Sequence, residues 1–264
     1  MNSIRGILID ISGTLLIGNS QACEGAIGGL KKLREAGIPF RFCTNTTKES
    51  RSAILKKLID SGFDTNKNEI ITTLSACRDL IISRKLRPLL LLEEDALEDF
   101  KGVPTEEPKD AVVIGLSPSN MRYDMLNKAF RILINNQDAP LIALHKSKYF
   151  AESDGLSLGP GPFVSALEYA CEGVKAIVIG KPEKSFFESA LKDMDLLEKA
   201  NHVVMIGDDI EQDLGGGAKE LGLIRYLVKT GKYRSGDELR DPTIDGVFDN
   251  FGKFVDFILN NIKK

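Results

Sequence analysis

Residues Ile7 to Leu15 read ILIDISGTL: an apolar run stops on a carboxylate at Asp10, and the chain continues through Ser12, Gly13 and Thr14. Short β-rich apolar runs of this kind alternate with amphipathic helical runs along the chain. That alternation is the signature of βα units wound around a mostly parallel sheet. Strands are expected at Gly6 to Asp10, Pro39 to Thr44, Ala176 to Gly180, Val203 to Gly207 and Ile224 to Val228. Helices are expected at Cys23 to Ala36 and Lys48 to Ser61, where Gly37 and Gly62 follow as C-terminal stops. The pattern predicts an α/β fold with a Rossmann-like, doubly wound parallel sheet.

A second set of elements lies in the middle of the chain. Strands at Pro88 to Leu92, Ala111 to Leu116 and Pro140 to His145, with helices at Tyr123 to Ile134 and Phe163 to Glu172, suffice for a small α/β domain. Counting elements places a core at residues 1–84 and 176–264 and an inserted domain at 85–175.

At 264 residues the chain can bury a sizeable core, and its 42% hydrophobic and 28% charged residues match an ordinary globular composition. The net charge of -3 argues against a nucleic-acid partner, which calls for a basic patch. No stretch approaches the ~18 apolar residues of a membrane span, and Asp10 interrupts what would have to be a leader's apolar segment. A cytoplasmic protein with no membrane partner is expected. Cys23, Cys43, Cys77 and Cys171 are widely spaced and lack a C-x-x-C pattern, so free buried thiols are expected rather than disulfides or a metal site.

In open parallel sheets ligands bind outside the carboxyl ends of the strands, so those ends select the residues of interest. Asp10 ends the first strand and Thr44-Asn45 the second, while Lys181 follows Gly180 and Asp208-Asp209 follow Gly207. Taken singly, an acidic residue after a strand caps the next helix and Thr-Asn makes a turn. Together they suit phosphate chemistry. A hard cation such as Mg2+ takes one or two carboxylates plus phosphate oxygens, a lysine neutralises phosphate, and hydroxyl and amide groups hold its other oxygens. Asp10 can then attack phosphorus and split one difficult step into two easier ones.

The four ordered stretches DISGT (Asp10 to Thr14), TN (Thr44-Asn45), GKP (Gly180 to Pro182) and GDDIEQD (Gly207 to Asp213) resemble the motifs of the haloacid dehalogenase superfamily. The resemblance covers essentially the whole chain. It implies Asp10 as nucleophile and Thr44 and Lys181 as phosphate ligands, with Asn45 beside them. It also implies a Mg2+ site from Asp10, the backbone carbonyl of Ser12 and Asp208, supported by Asp209 and Asp213. Asp10 and Thr44 lie 34 positions apart, which leaves room for a turn and a helix, whereas Thr44 and Lys181 lie 137 apart. That spacing resembles the C2-capped branch, with its NagD-like and p-nitrophenyl phosphatase-like enzymes, in which the inserted domain is a cap that restricts the site to small substrates. Such relatives often pair through their caps, so a homodimer is the assembly the resemblance implies.

Most phosphatases of the superfamily carry a second aspartate two residues after the nucleophile, where this chain has Ser12. A hydroxyl cannot replace a carboxyl as general acid and base near neutral pH, a contribution typically worth about 10²- to 10⁴-fold. The stretches DISGTL, FCTNTTKES, LGPGPFVSALEYA, GKPEKSFF, VMIGDDI and VKTGKYR are very like the haloacid dehalogenase-like hydrolase domain-containing protein 2 family. They are somewhat less like phospholysine phosphohistidine inorganic pyrophosphate phosphatase, which also carries D-x-S-G at this position. An amine, imidazole or pyrophosphate leaving group depends little on a protein acid, which gives the serine a physical rationale.

His145 ends an expected strand of the inserted domain, before Lys146, Lys148 and Tyr149, and resembles a cap segment that contacts substrate. His202 reads as a packing residue. GPGP (Gly159 to Pro162) and GGG (Gly215 to Gly217) lack the spacing of nucleotide fingerprints, and Lys229, Thr230 and Lys232 either border the site or form a solvated loop. The expected function is a Mg2+-dependent phosphatase of small phosphorylated molecules acting through an aspartyl phosphate on Asp10. A catalytically weak module that binds a phospho-ligand or a protein is the alternative, with a phosphomutase third.

Overall fold

The structure, a computed structural model, describes residues 4–18, 20–152 and 155–262. Two parallel sheets are built from β1 (Gly6–Asp10), β2 (Phe40–Thr44), β3 (Ile70–Thr72), β4 (Pro88–Leu91), β5 (Ala111–Ile114), β6 (Leu141–Ala143), β7 (Ile177–Val178), β8 (Val203–Gly207), β9 (Ile224–Val228) and β10 (Gly246–Phe248). The helices are α1 (Ala26–Glu35), α2 (Arg51–Asp60), α3 (Thr73–Arg84), α4 (Tyr123–Asn135), α5 (Gly161–Ala170), α6 (Lys184–Asp193), α7 (Gly216–Glu220) and α8 (Phe251–Ile262). The chain divides into two compact units, one of residues 1–44, 52–71 and 181–264 and one of residues 45–51 and 72–180.

The first unit contains a sheet of order β10-β9-β8-β1-β2-β3, in which β1 pairs in parallel with both β8 and β2. Every residue of β1 and of β8 is buried, as expected of central parallel strands covered on both faces. From β1 the chain winds outward to β3. It later returns to β8 on the other side of β1 and winds outward again to β10. The order therefore reverses between β1 and β8, and their carboxyl ends flank the switch-point crevice of a doubly wound sheet.

Packing fixes one face of this sheet through α1 and α8. In α8 the residues Phe251, Phe254, Val255 and Ile258 repeat at helical spacing and are fully buried. Each buried phenylalanine contributes about 1.5–3 kcal/mol relative to an exposed one. Phe254 joins Tyr226 and Phe248 in a cluster with ring centroids 5.3 to 5.7 Å apart, the spacing at which tilted and edge-on rings attract.

The second unit carries a four-stranded parallel sheet of order β7-β6-β5-β4. Two elements depart from the sequence reading. Residues Ala176 to Gly180, expected as a core strand, contain β7, which pairs Ile177 with Ile142 and Val178 with Ala143 in the second sheet. Ile179 is buried in the same cluster as Val113, Ile142 and Leu144, so this apolar run completes the second unit's core. Residues Thr73–Arg84, within the span 1–84 assigned to the core, form α3, which likewise buries Leu74, Cys77 and Ile81 against Leu92, Val113 and Ile142. A capping box starts it: Ser75 N–H donates to Thr72 Oγ1 and Thr72 N–H donates to Ser75 Oγ, each at 3.0 Å. The inserted unit thus starts at Thr72 and ends at Gly180, with the short segment 45–51 joining it.

Candidate active site

Asp10 ends β1 and Asp208 follows β8 directly, so the two strands that flank the switch point each deliver a carboxylate to the crevice. Thr44 ends the neighbouring β2 and is buried. Lys181 is the first residue of the returning chain, following the run that ends in the second sheet rather than a core strand. Its Nζ donates to Asp10 Oδ1 at 2.6 Å, to Asp213 Oδ1 at 2.6 Å and to the Cys43 carbonyl at 2.9 Å. With only 3% of its surface exposed, Lys181 has lost nearly all its water, and these bonds replace it. The anions outweigh the burial, and the Lys181 pKa is raised.

The glycines of GGG serve this geometry. Gly217 N–H donates to the Pro182 carbonyl at 2.7 Å, and a Cβ at Gly217 would collide with the backbone of Lys184. The start of α7 therefore lies against the segment that carries Lys181. Gly215 stands at the N-cap of α7.

Carboxylate oxygens of Asp10, Asp208 and Asp213 lie within 4.8 Å of one another, and all three residues are buried. Lys181 bonds two of them, Asp10 and Asp213, and the Lys232 charge also acts on Asp208. Burial and then the charges of Asp10 and Asp213 push Asp208 up to about 8. Asp213 rises to about 6, through burial first and Asp10 second, although Lys181 pulls the other way. An excess of buried negative charge is the condition that a divalent cation relieves, and an all-oxygen donor set suits a hard one.

Asp209 behaves differently. Burial raises its pKa, but the amides of Gln212 and Glu211, each donating to Oδ1 at 3.0 Å, and the Lys232 ammonium outweigh burial, and the net pKa is lowered. Its own N–H donates to Asp213 Oδ2 at 3.1 Å, fixing the carboxylate that holds Lys181. Asp213 is thus placed as a partner of the lysine and Asp209 as the brace of that partner.

The side chain of Ser12 is exposed, and no carboxylate stands at its position. Asn45 and His145 belong to the second unit. Asn45 Oδ1 accepts from Thr73 Oγ1 at 3.2 Å, and His145 lies between Thr47 Oγ1 at 3.3 Å and Ser147 Oγ at 3.1 Å. Lys146 pairs with Glu168 at 2.8 Å. The first unit therefore brings together Asp10, Lys181, Asp208, Asp209 and Asp213, while Asn45 and His145 make these hydrogen bonds within the second unit.

Two contributors escape the sequence reading: Thr14, whose Oγ1 donates to Asp10 Oδ2 at 3.3 Å, and the backbone of Lys232, whose N–H donates to Asp208 Oδ2 at 2.6 Å. Thr14 lies inside the quoted motif, so its contact was within reach. The amide of Lys232 carries no side-chain signal. All four cysteines are buried and free, and burial raises each thiol's pKa, which removes them from nucleophilic chemistry.

This fold and this cluster of an aspartate, a lysine and an acidic pair on one crevice define a hydrolase of known type. The family described as haloacid dehalogenase-like hydrolase matches residues 7–104, and one described as HAD-hydrolase-like matches residues 178–254. The chain is 48% identical to haloacid dehalogenase-like hydrolase domain-containing protein 2 of Rattus norvegicus, over 98% of this chain and 97% of that one. It is 41% identical to phospholysine phosphohistidine inorganic pyrophosphate phosphatase of Xenopus laevis, over 98% and 96% respectively. Among solved structures it resembles a p-nitrophenyl phosphatase from Archaeoglobus fulgidus, with TM-score 0.86, 25% identity and coverage of 97% of this chain and 99% of that one. The chain belongs to the haloacid dehalogenase-like hydrolase family, and it is a phosphohydrolase. Among the described residues no helix is long and apolar enough to cross a membrane.

Proposed function

We propose that this phosphohydrolase cleaves small phosphorylated molecules through an aspartyl phosphate on Asp10, with Mg2+, and that it favours P–N bonds and pyrophosphate over alkyl monoesters. The observation that carries the reading is the buried Lys181 ammonium bridging Asp10 and Asp213, with Asp208 beside them. Lys181 holds Oδ1 of Asp10, while Oδ2 receives the longer Thr14 bond and is the freer oxygen to attack phosphorus. The Asp10 oxygen forms a bond to phosphorus as the leaving group departs with its electron pair. Water then cleaves the acyl phosphate and regenerates the carboxylate. Thr44 and Lys181 would hold the phosphoryl oxygens.

The excess of buried carboxylates fits a divalent cation, and Asp10, Asp208 and the Ser12 carbonyl would hold it. When bound, Mg2+ supplies charge neutralisation of the phosphoryl oxygens. The second, inserted unit would serve as a C2-type cap, with His145 and Asn45 as substrate contacts. The leaving-group preference follows from Ser12, because no carboxyl stands there to protonate an alkoxide. The name of the Xenopus laevis relative joins phospholysine, phosphohistidine and pyrophosphate, three substrates whose leaving groups need little such help.

Phosphate release from pyrophosphate, phosphohistidine and glycerol phosphate, each with and without Mg2+, tests the proposal. The first two are expected to be turned over faster than the third, and only with Mg2+. Glycerol phosphate turned over as fast as phosphohistidine would overturn the leaving-group account.

The carboxylate cluster also predicts a pH dependence. Without a cation the native protein keeps a proton on Asp208 up to about pH 8, whereas the unfolded chain releases it near the ordinary value of about 4. The native state then binds more protons between those limits, so this group makes stability fall as pH rises through that window. Mg2+ competes with that proton. The rise in Tm on adding Mg2+ is therefore expected to be larger near about pH 8 than near about pH 6. An equal rise at both pH values would contradict the assignment.

A further inference from the structure

The loop after β9 touches both halves of the site. Thr230 Oγ1 donates to the Gly13 carbonyl at 2.5 Å, and two residues later the Lys232 N–H donates to Asp208 Oδ2 at 2.6 Å. Between them Gly231 has φ +55°, and a Cβ there would collide with the Asp208 carboxylate and the Gly13 Cα. Gly13 and its following residue Thr14 belong to the turn after Asp10, and Thr14 in turn donates to Asp10 Oδ2. The Lys232 ammonium closes the arrangement on the acidic side, 3.2 Å from Asp209 Oδ2. One tripeptide thus binds the nucleophile's turn with a hydroxyl, an acidic residue with an amide, and the next acidic residue with an ammonium.

This arrangement has a physical purpose. Asp208 is buried between like charges, which would turn its carboxylate away from Asp10 and Asp213 if it were free to rotate. A short amide bond to Oδ2 restrains the rotation of the carboxylate. The hydroxyl bond to Gly13 holds the turn that carries Thr14 in register with the same loop. We propose that Thr230, Gly231 and Lys232 form a positioning clamp that sets the Asp208 carboxylate and the turn after Asp10 for cation binding. These are positioning residues, since they act through Asp208 and Gly13. The proposal rests on the cation reading of the site given above.

Direct titration of Mg2+ into the purified protein by calorimetry tests the clamp. Thr230→Val keeps the side chain's shape and deletes its donor, and groups that orient ligands typically change metal affinity by about 10- to 100-fold when lost. Mg2+ affinity is expected to fall by at least about 10-fold in Thr230→Val and to stay within about threefold of the parent in Thr230→Ser, with the cation-free Tm little changed. Gly231→Ala, which displaces Asp208 directly, is expected to weaken binding further, and it reads the same quantity if Thr230→Val does not fold. Unaltered affinity in Thr230→Val overturns the clamp, and so does a lowered cation-free Tm without loss of affinity, which marks a purely structural role. A parent protein that binds Mg2+ and releases phosphate while Thr230→Val matches it removes only the clamp. A parent that binds no Mg2+ removes the cation reading and the clamp with it.

Discussion

Asp10→Asn is expected to abolish phosphate release from every substrate, by roughly 10⁴-fold or more, because it removes the group proposed to attack phosphorus. The amide is nearly isosteric with the carboxylate, and its oxygen can still accept the 2.6 Å bond from Lys181 Nζ. Loss of activity through unfolding would be the competing explanation, and the charge distribution makes the two separable. Asp10 is one of the anions that push Asp208 and Asp213 upward. Removing its charge relieves repulsion among three buried carboxylates, of which Lys181 bonds Asp10 and Asp213. The cation-free variant should therefore melt no lower than the parent near about pH 8, even though it is inactive. Thermal unfolding alongside a phosphate-release assay checks both halves. Residual turnover above about one hundredth of the parent's would remove Asp10 from the nucleophile's role.

The second large effect is a gain. Ser12→Asp places a carboxyl two residues after the proposed nucleophile Asp10, and the exposed position of Ser12 leaves room for it without burying another charge. General acid-base assistance of about 10²- to 10⁴-fold is then available to leaving groups that need a proton. Glycerol phosphate, which departs as a poor alkoxide, should gain about 10²-fold in kcat/KM. Phosphohistidine, whose imidazole can carry its own proton, should gain little. The ratio between the two substrates is the quantity to measure, because it cancels any general change in folding or Mg2+ affinity. A gain shared equally by both substrates would show that Ser12 does not set the preference.

The legible part of this protein lies where chemistry and local pattern coincide. The runs Gly6–Asp10 and Val203–Gly207 read as strands because every residue in them except the terminal Asp10 is apolar or small, and all are buried. Asp10 at the end of one and Asp208 just after the other follow from the rule for parallel sheets. Ala176 to Gly180 was equally legible as a strand but not as to which sheet it joins, since pairing with Ile142 and Ala143 is a long-range choice that periodicity does not encode. In α3 the apolar residues spread beyond one stripe: Leu74, Cys77 and Ile81 line a buried face, whereas Ile82 stands outside it, half exposed. The contribution of Lys232 to Asp208 is made by the main chain, which every residue except proline offers alike. Backbone donors of this kind become visible only once the loop's path is known.

The central pairing of β1 with β8 sets Gly6 opposite Val203, so the middle of the sheet joins chain segments roughly 200 positions apart. Asp10 and Lys181 are brought together by the same long return. The cost of closing a flexible chain of that length rises only logarithmically, and a compact insert shortens the span that remains to be closed. On a ribosome, β1 and β2 emerge long before β8 exists, whereas residues 72–180 contain all four strands of their own sheet in one continuous stretch. The order of synthesis therefore favours maturation of the insert first. Asp10 and Asp208 can meet only when β8 takes its place beside β1, so the assembled crevice marks a sheet joined from distant parts of the chain.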